Sequence, residues 1–319
     1  MSNYAGFGCD VFATQSLRES TLPVSTSHLT NKQMDIHKVH LALADQPFGH
    51  TIDYHPSVPS TMPIARALAE KAADPARISG AVVIADEQSA GRGRLDRRWE
   101  TPPGRALLVS VVVAGLHLPD RPAQLPMIAG LAVLDAVTQA VSLPSPPPPV
   151  TQADSLRLKW PNDLIALLPT GPVKIAGLLV ESSLDSQGVR YAVLGIGLNV
   201  NQRANELPAP RAGGAPAASL YTLFQREFSR EHLLLSLCRS LNRLLSPPNR
   251  PGSRDIHTRW QAQLINLGCP VQVRTLESAA PFLQGRVEGS DLDGALLIRD
   301  GTGKRHTVTA GDVTVVFHP

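Results

Sequence analysis

Apolar and polar positions alternate along the chain with two periods, one typical of helices and the other of strands. Apolar residues recur at helical spacing over 122–140 and again over 228–245, which predicts two long helices that each cover a buried surface. Three shorter segments, 34–44, 61–72 and 255–267, also have helical spacing. Short apolar or alternating runs bounded by Gly, Pro and Asp predict strands. The predicted strands cover 81–85, 106–113, 156–160, 165–168, 173–181, 191–201, 270–275, 282–288, 294–299, 305–309 and 313–317.

The order of these segments predicts an α+β fold with two structural domains. Helices and longer strands are mixed over 49–267, whereas only short strands follow over 268–319, which is typical of a small β-barrel. Residues 1–48 are rich in polar residues, and we expect them to form a poorly ordered extension apart from the short helix. Two Pro-rich segments, 143–154 and 202–216, are expected to be surface loops.

Composition narrows the class of protein and its compartment. The chain of 319 residues is 43% apolar and can bury a substantial core, and its net charge of +3 is too small to indicate nucleic-acid binding by itself. Its three cysteines show no paired spacing, which favours reduced thiols over disulfides or a zinc site. The longest apolar run, 106–116, is too short to span a bilayer, and no secretory signal stands out. We therefore expect a cytoplasmic protein without membrane contact.

Positive charge is concentrated in residues 88–99, called the basic segment below, which read Gln-Ser-Ala-Gly-Arg-Gly-Arg-Leu-Asp-Arg-Arg-Trp. Gly91 and Gly93 let a ligand approach the bare backbone, and the arginines are suited to bidentate binding of carboxylate or phosphate. A solvated basic turn or a nonspecific nucleic-acid patch is the alternative interpretation. The buried strand just upstream favours a ligand site, because sheets in α/β proteins commonly bind ligands where a strand ends.

A second group of candidate residues lies on the predicted strands. Lys159 ends an apolar strand beside a Trp-Pro turn, while Gly177, Gly195 and Gly197 interrupt strands at their middle. These glycines indicate one groove crossed by three strands, although packing explains each of them alone. Motifs of serine hydrolases, zinc proteases and P-loop nucleotidases are missing from the sequence. The remaining features suit an enzyme that brings a carboxylate onto an ATP phosphate, because cations must offset the repulsion between two anions.

Four blocks of sequence follow one another along the chain: the basic segment, Lys159-Trp-Pro-Asn-Asp163, Lys174-Ile-Ala-Gly-Leu-Leu-Val-Glu181 and Gly195-Ile-Gly-Leu-Asn-Val-Asn201. In this order they resemble the motifs of biotin protein ligases, and the resemblance covers about residues 50–319. Ser60-Thr61 is similar to the start of that family's Ser-Thr-Asn motif, and Ser219-Leu220 is similar to its short Ser-Leu element.

The resemblance implies a catalytic domain similar to that of class II aminoacyl-tRNA synthetases, with a mixed sheet and flanking helices, and a C-terminal SH3-like β-barrel. It also implies that biotin and ATP react to biotinyl-5′-AMP and pyrophosphate, with Mg²⁺ assisting at the phosphates. The biotinyl group then passes to one lysine of a biotin carboxyl carrier protein or domain of a biotin-dependent carboxylase. No metal-ligating side chain is predicted, and a homodimer is left open.

The resemblance further assigns roles to individual residues. Lys159 and Arg94 are the implied catalytic residues: Lys159 contacts the biotin carboxylate and the α-phosphate, and the basic segment orders over the adenylate. The implied biotin-binding residues are Ser60, Thr61, Gln88, Gly91, Arg92, Lys159 and Gly177. The implied ATP-binding residues are Arg92, Arg94, Trp99, Lys159, Asn162 and Asn199, the last of which reads adenine.

Three features depart from the family pattern, and two other functions stay open. Met62 replaces the family's Asn, Asp96 replaces a common Gly inside the basic segment, and 143–154 is an insertion. Residues 1–48 are too few for the DNA-binding winged helix of bifunctional members, so we expect a monofunctional ligase that binds no nucleic acid. A lipoate or octanoate ligase or transferase of the same fold is one alternative, and a nucleic-acid-binding repressor is the other.

Overall fold

The computed structural model describes residues 34–94, 97–142, 155–210, 214–274 and 282–315. The helices within these ranges are α1 (Ile36–Leu43), α2 (Thr61–Lys71), α3 (Leu125–Ser142), α4 (Leu220–Phe224), α5 (Arg230–Leu245) and α6 (Ser253–Ala262). The strands are β1 (Ile52–Val58), β2 (Val82–Gln88), β3 (Ala106–Ala114), β4 (Leu156–Lys159), β5 (Asp163–Leu168), β6 (Gly171–Asp185), β7 (Gly188–Asn199), β8 (Pro270–Arg274), β9 (Leu283–Ser290), β10 (Leu296–Arg299), β11 (Arg305–Val308) and β12 (Asp312–Val315). Of these elements, β1 and α4 were not predicted from the sequence.

The larger sheet is mixed and has the strand order β1-β2-β3-β7-β6-β5-β4. Strands β1 and β2 are parallel, and the other neighbouring pairs are antiparallel. Strand β3 is buried along its whole length: Val111 and Val113 belong to the core shared with α3 and α5, and Val112 and Ala114 to a smaller core beside α2. Helices therefore cover both faces, and the predicted mixed sheet with flanking helices is confirmed.

Helix α3 is apolar around most of its circumference because α5, α6 and the larger sheet enclose it. The sequence prediction of no membrane-spanning segment overlooked this helix. By length and composition alone, Pro122–Ser142 could cross a bilayer, but 67% of its most apolar window is buried inside the protein. Packing within the core accounts for its apolar composition, and the absence of membrane contact stays a prediction.

The smaller sheet is antiparallel, with the strand order β11-β10-β9-β8-β12. It confirms the small all-β unit predicted at the C-terminal end. Its contact with the larger sheet is polar as well as apolar: the indole Nε1 of Trp160 donates to the carbonyl of Gly294 at 2.8 Å. Arg121, just before α3, forms a salt bridge of 3.0 Å with Asp293. These bonds fix the smaller sheet beside the turn that follows β4.

Residues 34–48 correct the prediction of a poorly ordered extension over 1–48. Helix α1 forms where the helical spacing predicted it, and Val39, Leu43 and Phe48 are fully buried in the larger core. The Phe48 N–H also donates to Oδ1 of Asn242 in α5 at 2.9 Å. These apolar side chains pack against α5, and that burial holds the segment in place. Residues 1–33, the 143–154 insertion and Asp96 lie outside the described residues.

Candidate active site

One cavity of about 360 Å³ lies on the α2 side of the larger sheet. It is lined by the start of α2, by β6 and β7, by the turn between β4 and β5, and by the basic segment. Ten of the eleven predicted site residues line it: Ser60, Thr61, Gln88, Arg92, Arg94, Trp99, Lys159, Asn162, Gly177 and Asn199. The eleventh, Gly91, is buried in the wall behind them.

The basic segment is a narrow hairpin closed by its own backbone. The N–H of Trp99 donates to the carbonyl of Gly91 at 2.9 Å, and the N–H of Gly93 donates to the carbonyl of Arg97 at 2.7 Å. A Cβ at position 91 would lie 2.3 Å from the carbonyl oxygen of Trp99. Only glycine allows the two arms of the hairpin to approach this closely, so Gly91 acts through the backbone shape.

The strand glycines make room for two large side chains in the cavity floor. A Cβ at Gly197 would lie 2.6 Å from the indole of Trp99, and one at Gly177 would lie 2.9 Å from it. A Cβ at Gly195 would lie 2.5 Å from Sδ of Met62. The predicted groove is present, but its glycines lie on two strands, β6 and β7, and not on three. The predicted strand 191–201 already contained both Gly195 and Gly197, so the expectation that three strands carry the three glycines was wrong.

At one end of the cavity, polar atoms are fixed beside the start of α2. Oε1 of Gln88 accepts from the Thr61 N–H at 2.8 Å, and the Thr61 hydroxyl lies 2.7 Å from Oγ of Ser110. Ser60 Oγ and Trp99 Nε1 are buried and have no hydrogen-bond partner among the described residues. Buried polar atoms are normally paired, so these two at the wall are candidates for hydrogen bonds to a ligand.

At the other end, cations surround a single aspartate. Nζ of Lys174 in β6 forms a salt bridge of 2.7 Å with Oδ1 of Asp163, at the start of β5. Burial lowers the pKa of Lys159, the Asp163 carboxylate opposes that shift, and Lys174 and Arg97 add to it. Burial also lowers the pKa of Arg94, again with Asp163 opposing and Arg97 adding. Poorly solvated cations of this kind are stabilised when an anionic ligand enters the cavity.

Three predicted ligand-binding side chains already have partners in the protein. The Asn162 amide donates to the Leu178 carbonyl. The Asn199 amide donates to the carbonyl of Ala218 at 3.1 Å and accepts from Gln202 at 2.8 Å. The Arg92 guanidinium is 2.9 Å from Glu181. These bonds hold the cavity wall, and the assigned ligand contacts of the three side chains stay predictions.

The cavity also contains charged residues that the sequence prediction did not assign. Asp163 and Lys174 stand inside the quoted motifs, but nothing in the sequence showed that strand pairing would turn them toward one another. Arg274, in β8 of the smaller sheet, also lines the cavity together with Val313 and Thr314. No sequence signal placed the smaller sheet at the site.

Comparison with known proteins identifies related sequences. The sequence model of the Biotin/lipoate A/B protein ligase family matches residues 54–199. The chain is 33% identical over 239 residues to the biotin–[acetyl-CoA-carboxylase] ligase of Paracoccus denitrificans, covering 75% of this chain and 92% of that protein. It is 27% identical over 279 residues to the bifunctional ligase/repressor BirA of Bacillus subtilis, covering 86% of this chain and 77% of that protein.

Solved structures show the same fold. The Aquifex aeolicus biotin protein ligase in complex with biotin and ATP superimposes with a TM-score of 0.59 at 23% identity, covering 83% of this chain and 98% of that chain. The α+β architecture, with its mixed sheet, flanking helices and small C-terminal sheet, is therefore confirmed by comparison as well as by its own topology.

Proposed function

The chain belongs to the biotin protein ligase family, and from that premise we propose that it activates biotin with ATP and transfers the biotinyl group to a carrier lysine. The observation that carries the proposal is the cavity. It joins the buried Ser60 hydroxyl, which has no partner among the described residues, to a cationic region at Lys159 and Lys174, and the Trp99 ring lies 5.7 Å from Nζ of Lys174 in that region. A ligand with a polar ring at one end and a carboxylate at the other matches that arrangement.

In the first step, a carboxylate oxygen of biotin forms a bond to the α-phosphorus of ATP, and the bond to pyrophosphate breaks. Lys159, Lys174 and Arg94 would lie beside both anions and offset their repulsion. A pair of unit charges 4 Å apart contributes on the order of 4 kcal/mol at an effective dielectric constant near 20, so two or three such contacts are a large part of the required stabilisation.

In the second step, the amine of the carrier lysine attacks the acyl carbon of biotinyl-5′-AMP, and AMP leaves. Until that carrier binds, the mixed anhydride must be kept from water. The hairpin of the basic segment, with Arg94 half-buried at the cavity, is the element placed to cover it.

Mg²⁺ would enter the site with ATP, because this ion is usually held by substrate phosphates and one or two carboxylates. The described residues contain no cluster of three or more His, Cys, Asp or Glu able to hold a metal ion. Asp163, which lies among the cavity cations, is the carboxylate that could contact a phosphate-bound Mg²⁺. The ion would neutralise charge on the leaving pyrophosphate.

The transferase alternative requires a cysteine nucleophile at the cavity. Of the two cysteines in the described ranges, Cys238 is fully buried in α5, and burial raises its pKa to about 12. Cys269 donates to the Ile265 carbonyl at 3.2 Å and does not line the cavity. These placements favour an ATP-dependent ligase over a thiol-dependent transferase. We further propose a cytoplasmic enzyme whose partner is a biotin carboxyl carrier domain.

The experiment that tests the function is ATP–pyrophosphate exchange with biotin, lipoate and octanoate measured in parallel. We expect exchange with biotin at a kcat/KM at least about 10²-fold above that for the other two acids. Exchange that is faster with lipoate or octanoate would mean that the chain is a lipoate or octanoate ligase of the same fold. A salt-dependent DNA affinity with no exchange at all would favour the repressor alternative.

A further inference from the structure

Glu181 connects the basic segment to the framework of the cavity. Its Oε1 accepts from the guanidinium of Arg92 at 2.9 Å, and its Oε2 accepts from the guanidinium of Arg66. Arg92 belongs to the basic segment, Arg66 to helix α2, and Glu181 to strand β6. One carboxylate therefore joins three elements that each contribute to the cavity wall.

The surroundings of Glu181 make this contact more than an isolated surface ion pair. Its side chain is only 22% exposed, whereas those of Arg66 and Arg92 are 45% and 50% exposed. Both carboxylate oxygens are occupied, and an anion held by two guanidinium groups restricts each partner further than a single pair does. The hairpin has its own backbone bonds between its arms, and the Glu181 contact ties the hairpin to the sheet.

We propose that Glu181 is a positioning residue that latches the basic segment over the cavity through Arg92. The inference rests on the proposed function, because it concerns retention of the biotinyl-adenylate. In this arrangement the Arg92 side chain acts as part of the wall, and Arg94, half-buried beside Asp163, remains available to the substrate anions. Glu181 changes how long the intermediate stays and leaves the bond-forming step to Lys159 and Lys174.

Arg66 provides the matched control. It contacts the same carboxylate as Arg92, but from α2, so Arg66→Gln removes an ion pair of Glu181 without releasing the basic segment. If Glu181 served only to hold α2 on the sheet, Arg66→Gln would reproduce the effect of Glu181→Gln, and Arg92→Gln would not. Comparing Arg66→Gln with Arg92→Gln therefore distinguishes a contact that holds the basic segment from one that only holds α2 on the sheet.

The test measures two quantities on the full-length chain: the rate of biotin-dependent pyrophosphate exchange and the half-life of the enzyme-bound adenylate without carrier. For Glu181→Gln we expect exchange within about twofold of wild type and an adenylate half-life shorter by about three- to tenfold. Arg92→Gln should shorten the half-life similarly, and the double variant should shorten it no further, since both single changes break the same contact. Glu181→Asp, which keeps the charge, should recover part of the retention.

Three results would overturn the inference. One is wild-type retention in Glu181→Gln together with normal exchange. A second is a half-life in Arg66→Gln as short as that in Glu181→Gln. The third is additive loss in the Arg92 and Glu181 double variant, which would mean that Arg92 binds the ligand directly. A wild-type chain with no biotin-dependent exchange would overturn the proposed function itself, and is distinguished from the other three by that first measurement.

Discussion

Lys159 ends strand β4 with its ammonium group in a cavity that already holds other cations. Burial lowers its pKa, with Asp163 opposing and Lys174 and Arg97 adding to the shift. On raising pH, Lys159 therefore loses its proton earlier than an ordinary lysine, and the site loses a cation that the two anions need.

The pH dependence of exchange tests this environment. We expect kcat/KM for biotin-dependent exchange to fall on the alkaline side at a pH below the pKa of an ordinary lysine. Lys159→Arg should move that fall to higher pH, because arginine stays protonated, and Lys159→Ala should lower exchange by about 10²-fold or more at neutral pH. An alkaline limb at the same pH in Lys159→Arg would mean that another group titrates there.

Arg94 and Arg98 belong to the same hairpin but differ in exposure. Arg94 is half-buried and its pKa is lowered by burial, whereas Arg98 is exposed. We expect Arg94→Gly to release biotinyl-adenylate, which then labels lysines of a bystander protein that lacks a carrier domain. Arg98→Gly removes the same charge from the same segment and should label the bystander much less. Equal labelling by both variants would assign retention to the total charge of the segment.

At the scale of single residues, the sequence motifs identified the cavity lining well and its internal bonds poorly. Ser60, Gln88 and Lys159 could be placed at one site because family motifs contain them. The pairing of Lys174 with Asp163 depends on the register of β5 against β6, which is shifted by an irregularity between Leu164 and Ile165. A side-chain contact set by such a shift has no signature in residue spacing.

At the scale of elements, the strands that the sequence predicted are those with a continuous apolar run or a regular alternation of apolar and polar residues. Strand β1 was missed because Ile52–Val58 mixes polar residues with Pro56 and is only partly buried. It lies at the edge of the sheet, where it pairs with β2 alone, so tertiary pairing and not local preference makes it a strand. Helix α4 was missed because its five residues are too few to show a period.

The glycines in strands β6 and β7 lead to a prediction at this scale. Gly197→Ala would place a Cβ 2.6 Å from the Trp99 indole, so the ring must leave the sheet surface. We expect KM for biotin to rise by about tenfold or more, with the thermal midpoint changed by only a few degrees.

Gly289→Ala in β9 is the control for Gly197→Ala. It is also a strand glycine, but its added Cβ would meet only Oε1 of Gln261 at 3.5 Å, an ordinary contact. We expect a biotin KM within about twofold of wild type in this variant. An unchanged biotin KM in Gly197→Ala would show that the position of Trp99 does not affect binding.

At the scale of the whole molecule, the two sheets meet beside the cavity. Trp160, directly after Lys159, donates its indole N–H to the carbonyl of Gly294 in the loop between β9 and β10, and its backbone N–H donates to Oδ1 of Asn266 at 2.9 Å. The strand end that carries Lys159, the proposed catalytic lysine, is thereby fixed in part by the loop between β9 and β10 of the smaller sheet. A sequence read element by element predicted both sheets but could not predict this contact, because it joins residues more than 100 positions apart.

Arg274 gives the smaller sheet a second role, in ligand binding, because this residue of β8 lines the cavity. It is exposed on β8 and lines the cavity, so it adds a cation from the smaller sheet to the cavity wall, and we assign this cation to the ATP phosphates. A partly solvated guanidinium beside a phosphate contributes about 1 kcal/mol, and we therefore expect Arg274→Ala to raise KM for ATP by about three- to tenfold while KM for biotin stays within about twofold.

Arg305→Ala, which removes the same charge from β11 of the same sheet but away from this cavity, should leave both constants unchanged. A parallel rise of both constants in Arg274→Ala would mean that the substitution alters the packing of the two sheets. Since a direct contact with ATP is screened by salt, the effect on KM should also shrink as ionic strength rises, which a packing defect would not do.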